Sequence, residues 1–423
     1  MAVLLGCIAD DFTGATDLAS MLVRQGMATV QLIGVPAAGI DPAEAQAVVV
    51  ALKSRTVPAQ EAVGRSLAAL AWLRARGARR ILFKYCSTFD STDRGNIGPV
   101  SEALLEALDA DFTIACPALP ENGRSVYQGH LFVGDKLLSD THMRQHPLTP
   151  MTDSNLVRVL QRQSRGPVGL VPYAVVERGP EATRARFDEL RAAGVRQAIA
   201  DALNDRHLLT LGAAAADLTL ITGGSGIAMG LPENFRRQGL LAAGAPADRL
   251  PHTPGLAAIL AGSCSAATLG QIARHRAAGR PAFVLDPIGL ADGGDDVERA
   301  LAFATEHLAD GPVLISSSAP PEEVAKVQER LGRERAGAAI EEAMAAIAKG
   351  LVACGVRRLV VAGGETAGAV VAALGVTGLR IGPAIDPGVP WTTSLGEPPL
   401  ALALKSGNFG APDFFIKAFA CAP

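Results

Sequence analysis

The chain has 423 residues, 49% hydrophobic and 19% charged, a globular composition able to bury large cores, and its length predicts two or three domains. Its 39 basic and 42 acidic side chains leave a net charge of −3, which excludes a broad basic face for nucleic acid or acidic lipid; a bound anion must be gripped locally. Six cysteines (Cys7, Cys86, Cys116, Cys264, Cys354 and Cys421) stand scattered without a CxxC pair or Cys/His ligand spacing, which predicts free thiols, a reducing compartment and no zinc site. Val3–Ala9 reads as a first β-strand ending at Asp10-Asp11; those aspartates and the lack of a basic leader argue against a signal peptide. Ala15–Gly26 then has helical spacing with Gly26 as its stop. Apolar runs at 28–35, 47–54, 80–87, 112–119 and 168–173 read as buried strands, with helical stretches at 58–78 and 95–111 between them. The pattern restarts with a strand and loop at 256–265, a helix at 266–279, strands at 281–287, 311–318 and 357–364, and an Ala-rich helix from Ala336.

Strand–helix alternation with continuous apolar strands predicts an α/β protein of two domains, each a mostly parallel sheet flanked by helices. The Gly-, Pro- and Ala-rich stretch 239–255 interrupts the periodicity, so the boundary is placed at residue 245, giving domains 1–245 and 246–423. No apolar run approaches the ~20 residues of a membrane span, and a cytoplasmic location is expected.

In open parallel sheets, ligands bind beyond the carboxyl ends of the strands, where loops enter helices. The polar residues directly after each strand are therefore the informative ones. Asp10 and Asp11, followed by Thr13 and Gly14, combine acceptors suited to a polyol with helix-start N–H groups suited to a carboxylate. A capping turn needs one aspartate there, not two. Lys53, Ser54 and Arg55 end the third strand and can hold a carboxylate in bidentate fashion, or form a solvated loop. The stretch from Lys84 through Ser87 and Asp90 to Asn96 is too polar to be core and reads as an ordered substrate loop. In the second half, Gly262–Ser265, Gly363–Thr366 and Ser406–Gly410 are glycine-rich turns with hydroxyls, a pattern that cradles phosphates. None is a Walker A motif or a GxGxxG fingerprint. His130 and His142 read as structural histidines, Gly223–Gly226 as an anion turn or a plain turn, and Asp386–Trp391 as a rigid loop in which Trp391 equally suits packing.

At these residues the chain resembles the four-carbon acid sugar kinase family. The matching motifs are IADDFTGATD (Ile8–Asp17), KSR (Lys53–Arg55), KYCSTFDST with GNIGP (Lys84–Pro99), CPALPENGR (Cys116–Arg124), GSCSAAT (Gly262–Thr268), GGET (Gly363–Thr366) and LKSGNFG (Leu404–Gly410). The KYCSTFDST loop resembles that of the 3-oxo-tetronate kinase branch. The resemblance implies a sugar-acid-binding domain at 1–245, a nucleotide-binding domain at 246–423, and a site between them. It also implies transfer of the γ-phosphoryl group of ATP to the terminal (4-) hydroxyl of a 3-oxo-tetronate, with threonate, erythronate or oxo-isoapionate as the related acids. On this reading Asp10, Asp11 and Asp90 are the catalytic carboxylates. Thr13, Gly14, Lys53, Ser54, Arg55, Lys84, Ser87 and Asn96 bind the acid. Ser263, Ser265, Gly363, Gly364, Glu365, Thr366 and Gly407 bind ATP. Mg²⁺ would bridge the phosphate oxygens without an assigned set of protein ligands, although Glu365 suits a water-mediated contact as well as a helix cap. The partners are the sugar acid and ATP, without nucleic acid or membrane and with a homodimer allowed. Two other classes fit a doubly wound sheet: a nicotinamide-dependent oxidoreductase, opposed by the missing GxGxxG, and a non-catalytic sugar-acid sensor, which needs no second glycine-rich domain.

Overall fold

Apolar runs rich in Val, Ile and Leu become strands buried on both faces. The computed structural model describes residues 3–37, 39–42, 45–146, 148–242, 244 and 246–423. The chain divides into a first unit, Met1–Asp248, and a second, Arg249–Pro423.

The first unit contains β1 (Leu5–Ala9), β2 (Thr29–Ile33), β3 (Ala47–Ala51), β4 (Arg80–Lys84) and β5 (Thr113–Cys116). An antiparallel sheet of β6 (Arg124–Tyr127), β7 (His130–Val133) and β8 (Lys136–Leu137) follows, and then β9 (Val168–Val171), β10 (Gln197–Ala200) and β11 (Leu220–Gly223). The main sheet runs β2-β3-β1-β4-β11-β5-β10-β9, and its pairings are parallel. Every residue of β1 and β3 is buried, which is why neither strand alternates in polarity. The longer helices of this unit are α1 (Phe12–Arg24), α2 (Ala59–Ala75), α3 (Ile97–Ala107), α4 (Pro180–Ala192) and α5 (Asp205–Ala214). Because β2 and β3 lie on one side of β1 and β4 on the other, the chain reverses direction across the sheet beside β1, the position outside whose carboxyl ends open sheets bind ligands.

The second unit repeats the scheme with β12 (Leu256–Ala261), β13 (Ala282–Val284), β14 (Val313–Ser316), β15 (Val356–Ala362), β16 (Gly378–Asp386), β17 (Val389–Ser394) and β18 (Ala401–Lys405). Its order is β13-β14-β12-β15-β18-β17-β16, parallel except where β17 pairs with β16 and β18. The helices α6 (Ala266–Ala277), α7 (Asp296–His307), α8 (Pro321–Leu331), α9 (Arg333–Ala353) and α10 (Gly364–Ala373) flank it. The α/β class expected from the sequence holds. One expectation changes: Asp386–Trp391, read as a rigid loop, is the end of β16, a tight turn at Pro387-Gly388 and the start of β17 in an antiparallel hairpin. Trp391 is fully buried among Ile259, Val360, Phe414 and Phe415, and its Nε1 donates to the Ala418 carbonyl at 2.8 Å, so it packs. Among the described residues, no helix is long and apolar enough to cross a membrane.

Candidate functional site

The strands β1, β3 and β4 end level, with Ala9 opposite Ala51 on one side and Lys84 on the other, so the residues that follow them meet. Asp10 donates its N–H to the Lys84 carbonyl (3.0 Å), and its own carbonyl accepts from the N–H groups of Ser54 (2.9 Å) and Arg55 (3.2 Å). That backbone brace aims the Arg55 guanidinium at the Asp10 carboxylate, which it grips twice, Nε to Oδ2 and Nη2 to Oδ1, each at 2.9 Å. Nη2 also reaches Asp11 Oδ1 at 2.6 Å, and Lys84 Nζ lies 3.4 Å from the same oxygen. Arg55 Nη1 faces Asp90 Oδ2 at 3.7 Å.

The two adjacent aspartates differ in environment. Burial pushes the Asp10 carboxyl up, against the pull of Arg55. Burial acts the same way on Asp11, but Lys84, Arg55 and the Gly14 N–H outweigh it and hold that carboxyl below the ordinary range. Burial likewise opposes the Lys84 ammonium, yet Asp11 and Asp10 keep it above its ordinary value. Asp11 is also the reachable one, its side chain 28% exposed against 4% for Asp10. The cluster thus presents the Asp11 carboxylate, ionised and part-exposed, beside a buried ammonium.

Local sequence explains the shape. Asp11 caps α1 by accepting the Gly14 N–H at 3.1 Å, and the N–H groups of Phe12 and Thr13 find no acceptor among the described residues. In the loop after β4, Phe89 and Asp90 take the left-handed backbone (φ 65° and 30°), unusual for non-glycine residues. Phe89 is buried edge-on to Tyr85, and Thr88 Oγ1 donates to Asp90 Oδ1 at 2.6 Å, which holds the strained turn in place. Asn96 is buried, and its Nδ2 donates to the carbonyls of Ser54 (2.8 Å), Arg55 (3.2 Å) and Val57 (3.3 Å). Its donors are therefore engaged in shaping the loop that carries Arg55, and Ser54 is buried beneath it. Thr13 and Ser87 are half-buried, while the Lys53 side chain is exposed and makes no ion pair among the described residues. A cavity of about 330 Å³ beside the loop is lined by Thr92, Asp93, Arg94, Asp153 and Arg162, but Arg162 is already paired with Asp93 (3.3 Å) and Asp153 (3.6 Å).

In the second unit, the adjacent strands β12, β15 and β18 deliver the three glycine-rich turns. Ser265 caps α6, accepting the Thr268 N–H at 3.3 Å, and its Oγ donates to the Gly407 carbonyl at 2.6 Å. The Gly363 N–H donates to the Lys405 carbonyl at 3.0 Å, tying the second turn to the third. The turns approach closely: a Cβ at Gly262 would lie 2.1 Å from Thr366 Oγ1, and one at Gly407 would lie 2.2 Å from Ser263 Oγ. Gly363 has φ 125°, a conformation open to glycine. Gly364 and Glu365 are exposed in the first turn of α10, and their N–H groups find no acceptor among the described residues. Ser263, Ser265, Gly363, Gly364, Thr366 and Gly407 therefore line one rim of helix starts and free amides, chemistry suited to phosphate.

A model of a sugar-binding N-terminal domain matches residues 5–231, and one of a nucleotide-binding C-terminal domain matches residues 258–415. The chain belongs to the four-carbon acid sugar kinase family. A 3-oxo-tetronate kinase of Cupriavidus necator is 63% identical over 417 residues, 98% of this chain and 96% of the relative. A 3-oxo-tetronate kinase of Salmonella typhimurium is 46% identical over 98% of each chain. The crystal structure of a Haemophilus influenzae protein superimposes with a TM-score of 0.85 and 43% identity, covering 98% of this chain and 99% of that one.

Within this kinase family, the acidic–basic cluster lies in the sugar-binding domain and the glycine turns in the nucleotide-binding domain. Three polar features had no role assigned from the sequence, although Asp17 and Lys405 lie inside two of its motifs. Burial pushes the Asp17 carboxyl up, where Ser225 Oγ donates to it at 2.5 Å. Gln31 is buried and accepts from Thr16 Oγ1 at 2.9 Å. Lys405 is a fully buried cation closing β18. The signal for the last was on the page: a lysine ending the apolar run ALALK.

Proposed function

We propose that the protein is an ATP-dependent kinase that transfers the γ-phosphoryl group to the 4-hydroxyl of a 3-oxo-tetronate. The observation that carries this reading is the Asp11 carboxylate, held ionised and part-exposed between Arg55 and Lys84 at the strand ends of the sugar-binding domain. The 3-oxo-tetronate kinases with up to 63% identity over 98% of the chain supply the substrate class. Phosphoryl transfer asks for positioning and charge neutralisation more than covalent help.

On this reading the free Phe12 and Thr13 amides, Lys84 and the exposed Lys53 attract the acid's carboxylate and keto oxygens. Arg55 has a different part from the one first expected, because its Nε and Nη2 are engaged with Asp10 and Asp11: it sets the direction of both carboxylates. Asp11 accepts the proton of the 4-hydroxyl as that oxygen bonds to phosphorus and the bond to the ADP oxygen breaks. Asp90, anchored by Thr88, steadies Arg55 from its other side. In the second unit, the amides of Gly364 and Glu365 and the turn at Gly407 take the phosphates. Glu365, an exposed oxygen donor in the first turn of α10, suits a water-mediated contact to Mg²⁺, which would neutralise phosphate charge. The six free thiols suit a cytoplasmic enzyme.

The test is ADP release by purified protein with ATP and a panel of four-carbon acids. Turnover with 3-oxo-tetronates well above that with threonate or erythronate is expected. Equal turnover on every acid, or none above the rate with ATP alone, overturns the reading.

A further inference from the structure

The mechanism above leaves Lys405 unexplained. Its side chain is 1% exposed, and among the described residues it forms no ion pair. A buried ammonium without a counter-charge is costly, and burial alone pulls its pKa down to about 8. Its Nζ donates only to neutral oxygens: Thr268 Oγ1 at 3.0 Å and the carbonyls of Ser406 and Gly407, each at 3.1 Å.

Those two carbonyls are the key. The Gly407 carbonyl receives three donors, from Lys405, Ser265 (2.6 Å) and Thr268 (2.9 Å), and so is drawn firmly inward. In a trans peptide the N–H points opposite to the C=O. Pulling in the Ser406 and Gly407 carbonyls therefore turns out the N–H groups of Gly407 and Asn408. Neither finds an acceptor among the described residues, and Asn408 is exposed while Gly407 is half-buried. Successive outward amides form a concave anion nest, and here an uncompensated positive charge stands directly behind it. A hydrophobic side chain would fill the same space at the end of an apolar strand without that cost.

We propose that Lys405 is a positioning residue of the nucleotide site: it holds the Ser406–Asn408 peptides so that two amides, backed by its own charge, receive a phosphate of the nucleotide. The proposal rests on the reading of the second unit as nucleotide-binding and adds a residue and a donor pair to it. The predicted signature is a dependence on phosphate rather than on the nucleoside.

Calorimetric titration of wild type and Lys405→Met with ATP, ADP and adenosine tests it. The variant should lose roughly tenfold to a hundredfold in affinity for ATP and ADP, the worth of charge-assisted contacts, while adenosine binds within about twofold of wild type. Equal losses for adenosine and ATP would assign Lys405 a purely structural part and overturn the proposal, as would no loss for ATP. Should the variant fail to fold, the amide resonances of Gly407 and Asn408 in the wild-type protein decide. They should shift on addition of inorganic pyrophosphate and not on addition of adenosine. Amides that stay silent in a protein that binds ATP refute the nest alone. Failure of wild type to bind any nucleotide removes the underlying reading with it.

Discussion

A methyl group at position 14 would fall 1.8 Å from Lys84 Nζ and 2.2 Å from Asp11 Oδ1. The first obstacle is the tip of a flexible side chain, so Gly14→Ala should displace the ammonium rather than unfold α1. The expected outcome is a KM for the acid raised about tenfold or more with ATP affinity unchanged, measured by steady-state kinetics and calorimetry. Asp11→Asn preserves the cap, because asparagine serves that position as well as aspartate. It removes the proton acceptor, and turnover should fall roughly a hundredfold or more while ATP affinity holds within about twofold. Comparable losses in both would make Asp11 structural. Lys405 carries a pH signature as well. Its folded pKa of about 8 lies below the ordinary lysine value of 10.5, so the folded state binds fewer protons between those values. Stability should therefore rise as pH climbs from about 8 toward 10, and Lys405→Met should lack this component; urea midpoints of the two proteins across that range measure it.

At the scale of elements, the loop after β3 is held from outside itself. Asn96 binds three of its carbonyls from the start of α3, a contact spanning 39 to 42 residues of sequence. Asn96→Ala would strip those donors from one buried and two part-buried carbonyls and should lower stability by about 1–3 kcal/mol, read from urea unfolding, while also loosening Arg55. Contacts of this kind explain what the sequence could and could not reveal. Asp10, Asp11 and Lys84 were legible because charged groups closing an apolar run are costly to bury without partners, which marks a place where charges meet. The parallel sheets were legible because the strands do not alternate. The bidentate grip of Arg55 on Asp10 was not, since spacing alone cannot say whether a guanidinium meets a ligand or a neighbour 45 residues away. Asn96 read as a ligand contact because a polar residue in a loop shows its chemistry but not its partner. The β16–β17 hairpin was hidden because its turn, Pro387-Gly388, carries a proline that reads as a rigid loop.

Across the whole molecule, the proposed function divides recognition between the two units, with the acid held by the charged cluster and the Phe12 and Thr13 amides of the first and the phosphates by the glycine-rich turns of the second. Ligand protection should follow that division. A non-hydrolysable ATP analogue should slow amide exchange at Gly262–Thr268, Gly363–Thr366 and Gly407–Gly410, and a four-carbon acid should slow it at Asp10–Thr16 and Arg55–Val57, each without marked effect on the other set. Exchange mass spectrometry reads both, and protection of the Asp10–Thr16 segment by the nucleotide analogue alone would reverse the assignment of the units.

The level ends of β1, β3 and β4 concentrate every charged contact of the first unit's cluster on one rim of its sheet. The opposite rim carries turns outside that cluster, among them Gly77 before β4 and Gly194 before β10; a Cβ added at Gly194 would meet open space. That lopsidedness leaves half of the connecting turns free to drift in length and composition. An affinity handle or fluorescent reporter grafted beside Gly194 would ride on the first unit's rim away from Asp10, Asp11 and Lys84.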